Sequence, residues 1–225
     1  MDTSTRRYSL AVLKNGKLAA QQSVLLKKLL SDSIVPSIEK ILKKAKVSLN
    51  ALDGFAIGLG PGSFTSLRIG LSTVKGLAFA TRKPVVGISS LDVLAAGAFN
   101  TKFDHVCVLT DAKRSMVYGG LYGTKNGLLQ KTADYLLCPV GELLKKIRKP
   151  TIFTGDGIEL FRSDITKRMK NISADYMFSS ERHWCPRAGV LARLTIKRFQ
   201  EKKFDNIDTL IPLYLYPDDC QVGKP

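Results

Sequence analysis

Residues Gly58–Gly70 read GLGPGSFTSLRIG. Gly58, Gly60 and Gly62 allow positive φ or close backbone approach. Pro61 stiffens the turn, and Ser63 stands where an N-cap would open a helix. A glycine loop ahead of a helix N-terminus can hold an anion. The phosphate-loop pattern GxxxxGK is absent, since no lysine follows Gly62, and no glycine completes GxGxxG. Ser63 is not a GxSxG nucleophile elbow, because the second glycine is missing. In the helix expected over Phe64–Thr81, Leu67, Leu71, Val74 and Ala78 form an apolar stripe. Beside it lie Ser66, Gly70, Thr73 and Leu77, with Gly76 and Ala80 widening the face. A mid-helix glycine costs about 1 kcal/mol relative to alanine. Gly70 and Gly76 therefore imply close packing, either on the chain's own sheet or against a helix of another subunit.

Working outward, Tyr8–Leu13 and Lys17–Val24 flank Asn15-Gly16, which predicts a β-hairpin with a type I′ turn. Ile34, Ile38, Ile41, Leu42 and Ala45 recur at helical spacing, with Pro36 expected in the first turn. Asp53–Leu59 reads as a short buried strand that runs into the glycine loop. Pro84–Ile88 is a second strand and Ser90–Gly97 a short helix. The pattern then restarts. Val106–Thr110 and Met116–Tyr122 form a second hairpin around DAKRS, Gly141–Ile147 a short helix, and Thr151–Thr154 a strand followed by a Gly155-Asp156-Gly157 turn. Pro186–Lys203 reads as a long basic helix, and LIPLYLYPDD as an extended tail. Two halves that each open on a hairpin and continue α/β suggest a duplicated fold with mixed sheets and flanking helices.

The 225 residues suffice for one large or two small domains with a real core. No apolar run approaches the ~18 residues of a membrane span, and MDTSTRRYSLAVL lacks the features of a signal peptide. Cys107, Cys138, Cys185 and Cys220 form no CxxC pair and read as reduced thiols of a cytosolic protein. Lysine and arginine number 35 against 19 acidic residues, a net charge of +16. That surplus favours polyanions such as RNA, although the cations are scattered over several segments. With only His105 and His183, the chain has no HxxxH or HExxH pair. His183-Trp184-Cys185-Pro186 reads as a loop with buried Cys and Trp, and Asp2, Asp53, Asp111 and Asp156 as turn or cap residues.

Over GLGPGSFTSLRIGLSTVKGLAFA the chain closely resembles the TsaB (YeaZ) family, the small partners of TsaD in bacterial synthesis of threonylcarbamoyladenosine in tRNA. MDTST resembles the end of the family's first strand and its DTS turn. DGFAIGLGPGSFT, PVVGISSLDVLA, DAKRSMVYGGLY, the GDG of Gly155–Gly157, PRAGVLARL and PLYLYPDD follow in the family's order, so the likeness covers nearly the whole chain. It implies a duplicated actin-like, sugar-kinase-type (ribonuclease H-like) fold, with an N-terminal subdomain over 1–102 and a C-terminal one over 103–225 whose tail packs back on the first.

The resemblance also implies a non-catalytic role. TsaB-like proteins lack the histidine pair that binds metal in TsaD, and their nucleotide site is degenerate. The chain is thus expected to hold no metal and no cofactor of its own, with ATP or ADP left to the interface of the complex. Its expected partners are TsaD in a heterodimer, TsaE in the larger assembly, tRNA indirectly, and a second copy when alone. The interface implied by the family uses the helix after GPGSFT, here Gly62, Ser63, Ser66, Arg68, Ile69, Gly70, Thr73, Gly76 and Leu77, with Lys75 nearby. Gly70→Leu is accordingly expected to break partner binding and leave the monomer folded.

Two departures stand out. Family members carry several apolar residues of a central strand before the DTS turn, whereas this chain begins at Met1-Asp2. A gap in the first sheet is expected there, or a start further upstream. Ser66 stands where the family often has glycine. Two rival functions are a TsaD-like transferase or peptidase, and a stand-alone basic RNA-binding protein.

Overall fold

Asn15 and Gly16 both take positive φ, 51° and 72°, and they close an antiparallel hairpin of β1 (Arg7–Lys14) and β2 (Lys17–Leu25). The computed structural model describes residues 1–100 and 102–216. Period-two alternation buries Tyr8, Leu10 and Val12 on one face of β1. Helix α1 (Leu30–Ala45) covers that face with Leu30, Ile34 and Ile41. It starts earlier than the sequence suggested, so Pro36 lies inside the helix and not in its first turn.

The strand β3 (Phe55–Gly58) pairs in parallel with β4 (Val85–Ile88), and α2 (Phe64–Thr81) crosses between them. Leu71, Val74 and Ala78 of α2 pack on Ile57 and Val85, which confirms the apolar stripe. Helix α3 (Ser90–Ala98) follows. The two hydrogen-bonded pairs, β1–β2 and β3–β4, form separate sheets. Met1 and Asp2 link the two: Asp2 exchanges two backbone bonds of 2.9 Å with Ser9 of β1, while Met1 donates to Ala56 O at 2.7 Å and accepts from Gly58 N at 2.9 Å. Beyond them an open cleft of about 810 Å³ separates the pairs, walled by β1 residues such as Leu10 and Val12, by Phe55 and by Leu77.

The chain divides into two compact units, Met1–Gly97 with Cys185–Pro212, and Ala98–Trp184 with the described residues from Leu213. This corrects the expectation that 103–225 forms one subdomain. Helix α6 (Ala188–Gln200) belongs to the first unit because its bonds are there. Ala188 N donates to Ser9 Oγ at 3.0 Å and Gly189 N to Gln21 Oε1 at 3.1 Å. Further on, Arg198 donates to Gly87 O and pairs with Asp205, whose other carboxylate oxygen accepts Gly87 N at 2.7 Å. Asp205 N also donates to Val85 O at 3.0 Å, and Ile207 and Leu210 pack on the β3–β4 core, so the segment after α6 lies along the edge of β4.

The second unit is one mixed sheet in the order β10-β9-β5-β6-β7, with β8 also on β6. Its strands are β5 (His105–Asp111), β6 (Met116–Lys125), β7 (Leu128–Lys131), β8 (Leu136–Pro139), β9 (Thr151–Thr154) and β10 (Tyr176–Phe178). Helices α4 (Val140–Lys145) and α5 (Gly157–Asn171) cover the face that presents Cys107, Leu109, Val117 and Phe153. Burial pushes the thiols of Cys107 and Cys138 above their ordinary pKa. The expected extended tail is described only to residue 216, where Tyr216 donates to Ala112 O at 2.8 Å; Cys220 and the acidic pair Asp218-Asp219 lie outside the described residues.

Candidate functional site

The glycine loop gathers around the DTS turn. Asp2, Thr3 and Ser4 are all buried. Asp2 accepts Ser4 N at 2.9 Å and Ser4 Oγ at 2.7 Å on one carboxylate oxygen, and Ser90 Oγ at 2.7 Å on the other. Ser90 ties this turn to the loop, for its Oγ also accepts Gly60 N at 3.1 Å and its N–H donates to Gly60 O at 2.8 Å. Thr3 Oγ1 donates to Ser66 O at 2.8 Å, and Ser63 N donates to Ser4 O at 2.8 Å. The buried turn thus bonds to itself, to Ser9 of β1, to Ser63 and Ser66 at the start of α2 and to Ser90 of α3, in line with the rule that buried polar groups are hydrogen-bonded.

The glycines are needed for that approach. A Cβ on Gly58 would lie 1.9 Å from Asp2 Oδ2, and one on Gly62 would lie 2.2 Å from Ser4 O. At Gly60, where φ is +88°, it would meet Leu67 at 2.6 Å. At Gly58 and Gly62 the space is filled by the chain's own first residues, and at Gly60 by Leu67 of α2. Ser63 stands at the N-cap of α2, yet its hydroxyl donates to Ser66 Oγ at 3.1 Å and caps no backbone N–H.

Helix α2 has two contrasting faces. Leu67, Gly70, Leu71, Val74 and Ala78 are buried. A Cβ on Gly70 would sit 2.2 Å from Thr3 Oγ1, so this glycine makes room for the DTS turn. This contradicts the expectation that Gly70→Leu leaves the monomer folded. The opposite face exposes Thr65, Arg68, Ser72, Gly76 and Phe79. Phe79 is 84% exposed and Phe64 48%, and the Arg68 guanidinium lies 4.0 Å over the Phe64 ring. A Cβ on Gly76 would meet nothing within 4 Å. Phe64 in the first turn and Phe79 near the last lie about 22 Å apart along the helix at 1.5 Å per residue, with Thr65, Arg68, Ser72 and Gly76 exposed between them.

A family model described as TsaD, tRNA N6-adenosine threonylcarbamoyltransferase, matches residues 24–215. The tRNA threonylcarbamoyladenosine biosynthesis protein TsaB of Bacillus subtilis is 31% identical over 96% of this chain and 92% of its own length. The chain belongs to the TsaB (YeaZ) family. The TsaB of Buchnera aphidicola subsp. Schizaphis graminum is 35% identical over 70% of this chain and 77% of its own. Among solved structures, YeaZ from Pseudomonas aeruginosa superposes with a TM-score of 0.79 at 26% identity, over 95% of this chain and 97% of that one. A second Pseudomonas aeruginosa structure, of a protein described as similar to peptidase YEAZ, gives 0.80 at 26% identity, covering 96% and 97%. The actin-like α/β class expected from the sequence is therefore the observed one.

On this TsaB fold the nine interface candidates separate. Gly62, Ser66 and Gly70 serve the DTS turn. Ile69 packs toward the hairpin and α1, and Leu77 lines the cleft. Thr73 is half-buried with its hydroxyl donating to Ile69 O at 2.8 Å. Ser63, Arg68 and Gly76 face outward. Lys75 points elsewhere, its Nζ 3.4 Å from Asp208 O. Phe79, Phe64 and Ser72, which complete the outer face, are absent from the sequence-based set. The helical positions of Phe79 and Ser72, turned away from Leu67, Leu71 and Val74, hold the signal that would have found them, whereas Phe64 lies in line with Leu71 and is exposed as the first residue of α2.

In the second unit, Asp156 Oδ1 accepts Asp111 N at 3.0 Å, and Asp111 pairs with Lys113. Burial pushes the Asp156 carboxyl above the usual range, against the hydrogen bond from Asp111 that lowers it. Gly155 takes φ +108°, and a Cβ there would lie 2.1 Å from Leu109 O. The GDG turn is thus fitted to the end of β5. Trp184 Nε1 donates to Ser179 O at 3.0 Å and His183 O accepts Thr154 Oγ1 at 3.0 Å, so the His183-Trp184 loop is held by packing within this unit. Among the described residues no three His, Cys, Asp or Glu side chains gather where they could hold a metal ion, and no helix is long and apolar enough to cross a membrane.

Proposed function

We propose that this chain is the TsaB-type subunit of the assembly that adds a threonylcarbamoyl group to the adenosine beside the anticodon of tRNA. It acts in the cytoplasm as a scaffold, without activity of its own, by pairing with TsaD. TsaE joins the larger assembly, and a second copy of the chain takes TsaD's place when TsaD is absent. The chain needs no cofactor of its own; ATP or ADP binds at the interface of the complex. The observation that carries this reading is the outer face of α2. A Cβ at Gly76 would meet none of the described residues within 4 Å, so nothing there requires a glycine, although an exposed mid-helix glycine costs about 1 kcal/mol relative to alanine. Close approach by a partner helix supplies the reason, and Phe64 and Phe79 supply apolar anchors. The DTS turn supports the same reading, since its Asp2 carboxylate is committed to Ser4 and Ser90.

Nucleoside mass spectrometry on bulk tRNA from cells depleted of this protein tests the proposal. Threonylcarbamoyladenosine is expected to fall and unmodified adenosine to rise. An unchanged nucleoside pool, with no paralogue present, contradicts it.

A further inference from the structure

The cations of the second unit are concentrated at one place. Residues 145–149 read KKIRK, and no other five-residue window of the chain holds four Lys or Arg. A second dense run, Lys167, Arg168 and Lys170, lies at the C-terminal end of α5. The fold brings the two runs together through one side chain. Arg168 Nε donates to Leu144 O at 3.1 Å and its Nη2 to Ile147 O at 2.9 Å. These bonds satisfy carbonyls at the end of α4, which a helix terminus leaves open. Leu143, Leu144 and Ile147 are buried beneath the run, which fixes the backbone that carries it.

Lys145, Lys146, Arg148, Lys149, Lys167 and Lys170 are exposed, and none joins an ion pair among the described residues. Over residues 142–149 and 164–175 there are seven Lys or Arg against three Asp or Glu, whereas the rest of 98–184 holds seven against six. The surplus positive charge of this unit is therefore local and rigidly presented. Such a surface attracts a polyanion by counterion release. The apolar side chains between the cations are buried, so the run itself offers charge with nothing to insert into a lipid layer.

We propose that the α4–α5 end of the second unit docks on the phosphate backbone of a folded RNA. The choice of RNA rests on the tRNA pathway proposed above, and it gives this chain a direct contact with the substrate where only an indirect one was expected. The contact is sequence-independent, since lysines and one arginine on phosphates position without reading bases.

Fluorescence anisotropy with labelled bulk tRNA, titrated with the full chain over a range of KCl concentrations, tests the proposal. The triple variant Lys145→Gln, Arg148→Gln, Lys149→Gln is compared with Lys40→Gln, Lys43→Gln, Lys44→Gln on α1, with thermal melts confirming that both fold. The first triple is expected to weaken binding by roughly tenfold at low salt and to flatten the slope of log K against log salt by about 2 to 3, while the α1 triple changes neither. Equal losses in both triples, no tRNA binding by the wild type, or binding to anionic phosphatidylserine vesicles in preference to tRNA would each overturn it. The depletion experiment reads the pathway independently. A fall in the modified nucleoside together with unchanged RNA binding of the first triple sinks only the docking site.

Discussion

Gly70 and Gly76 sit on the same helix, yet a Cβ at Gly70 would lie 2.2 Å from Thr3 Oγ1, whereas one at Gly76 would meet nothing within 4 Å. From sequence the two look alike, as mid-helix glycines that each cost helix stability. In the folded chain their reasons separate. Gly70 belongs to the inner face, where α2 presses on the buried DTS turn and Ser66 O accepts the Thr3 hydroxyl. Gly76 belongs to an outer face with Arg68, Ser72 and Phe79, where nothing among the described residues explains it. A glycine whose need is met inside the fold says nothing about partners. Only one whose need is unmet points outward.

The largest effect is expected at Gly70. Gly70→Leu would drive a side chain into Thr3 and break its bond to Ser66, and overpacking of this kind typically costs about 1–3 kcal/mol even for smaller insertions. A thermal melt should show a strongly destabilised or unfolded chain. A melt like that of the wild type would show that the DTS turn yields freely and would erase the distinction between the two faces. The smallest effect is expected at the other glycine. Gly76→Ala should raise stability by about 1 kcal/mol, because an exposed helical site gains the intrinsic preference for alanine and meets no neighbour. Chemical denaturation with an unchanged m-value would measure it, and a loss of stability there would reveal an internal contact at Gly76.

Much of this fold was legible because local chemistry and tertiary structure agree. Asn15-Gly16 takes the positive φ its residues favour, and α2 begins and ends at the expected residues, Phe64 and Thr81. Helix α5 was missed although Ile158, Ile165 and Met169 recur at helical spacing, for its other positions are mostly polar and the GDG turn reads as a loop. Strand β7 was missed because only Leu129 of its four residues is even half-buried. The placement of α6 with the first unit could not be read locally. It depends on Ser9, Gln21 and Asp205, side chains that meet α6 only after folding. The candidate interface was half legible for the same reason. Small residues mark α2 as a helix that packs closely, but only the positions of Thr3 and Ser4 show which of them are already occupied.

The central claim is that the outer face of α2 receives TsaD. Isothermal titration of purified TsaD from the same organism into the wild type, Phe79→Glu and Gly76→Leu tests it most directly, with melts of each variant as the folding control. Both variants should melt no lower than the free wild-type chain, since Phe79 is 84% exposed and a Cβ at Gly76 meets nothing within 4 Å, and both should lose at least tenfold in affinity, as removal of an interface anchor commonly does at about 1.4 kcal/mol per factor of ten. Wild-type affinity in both folded variants would contradict the account and move the partner surface away from this helix.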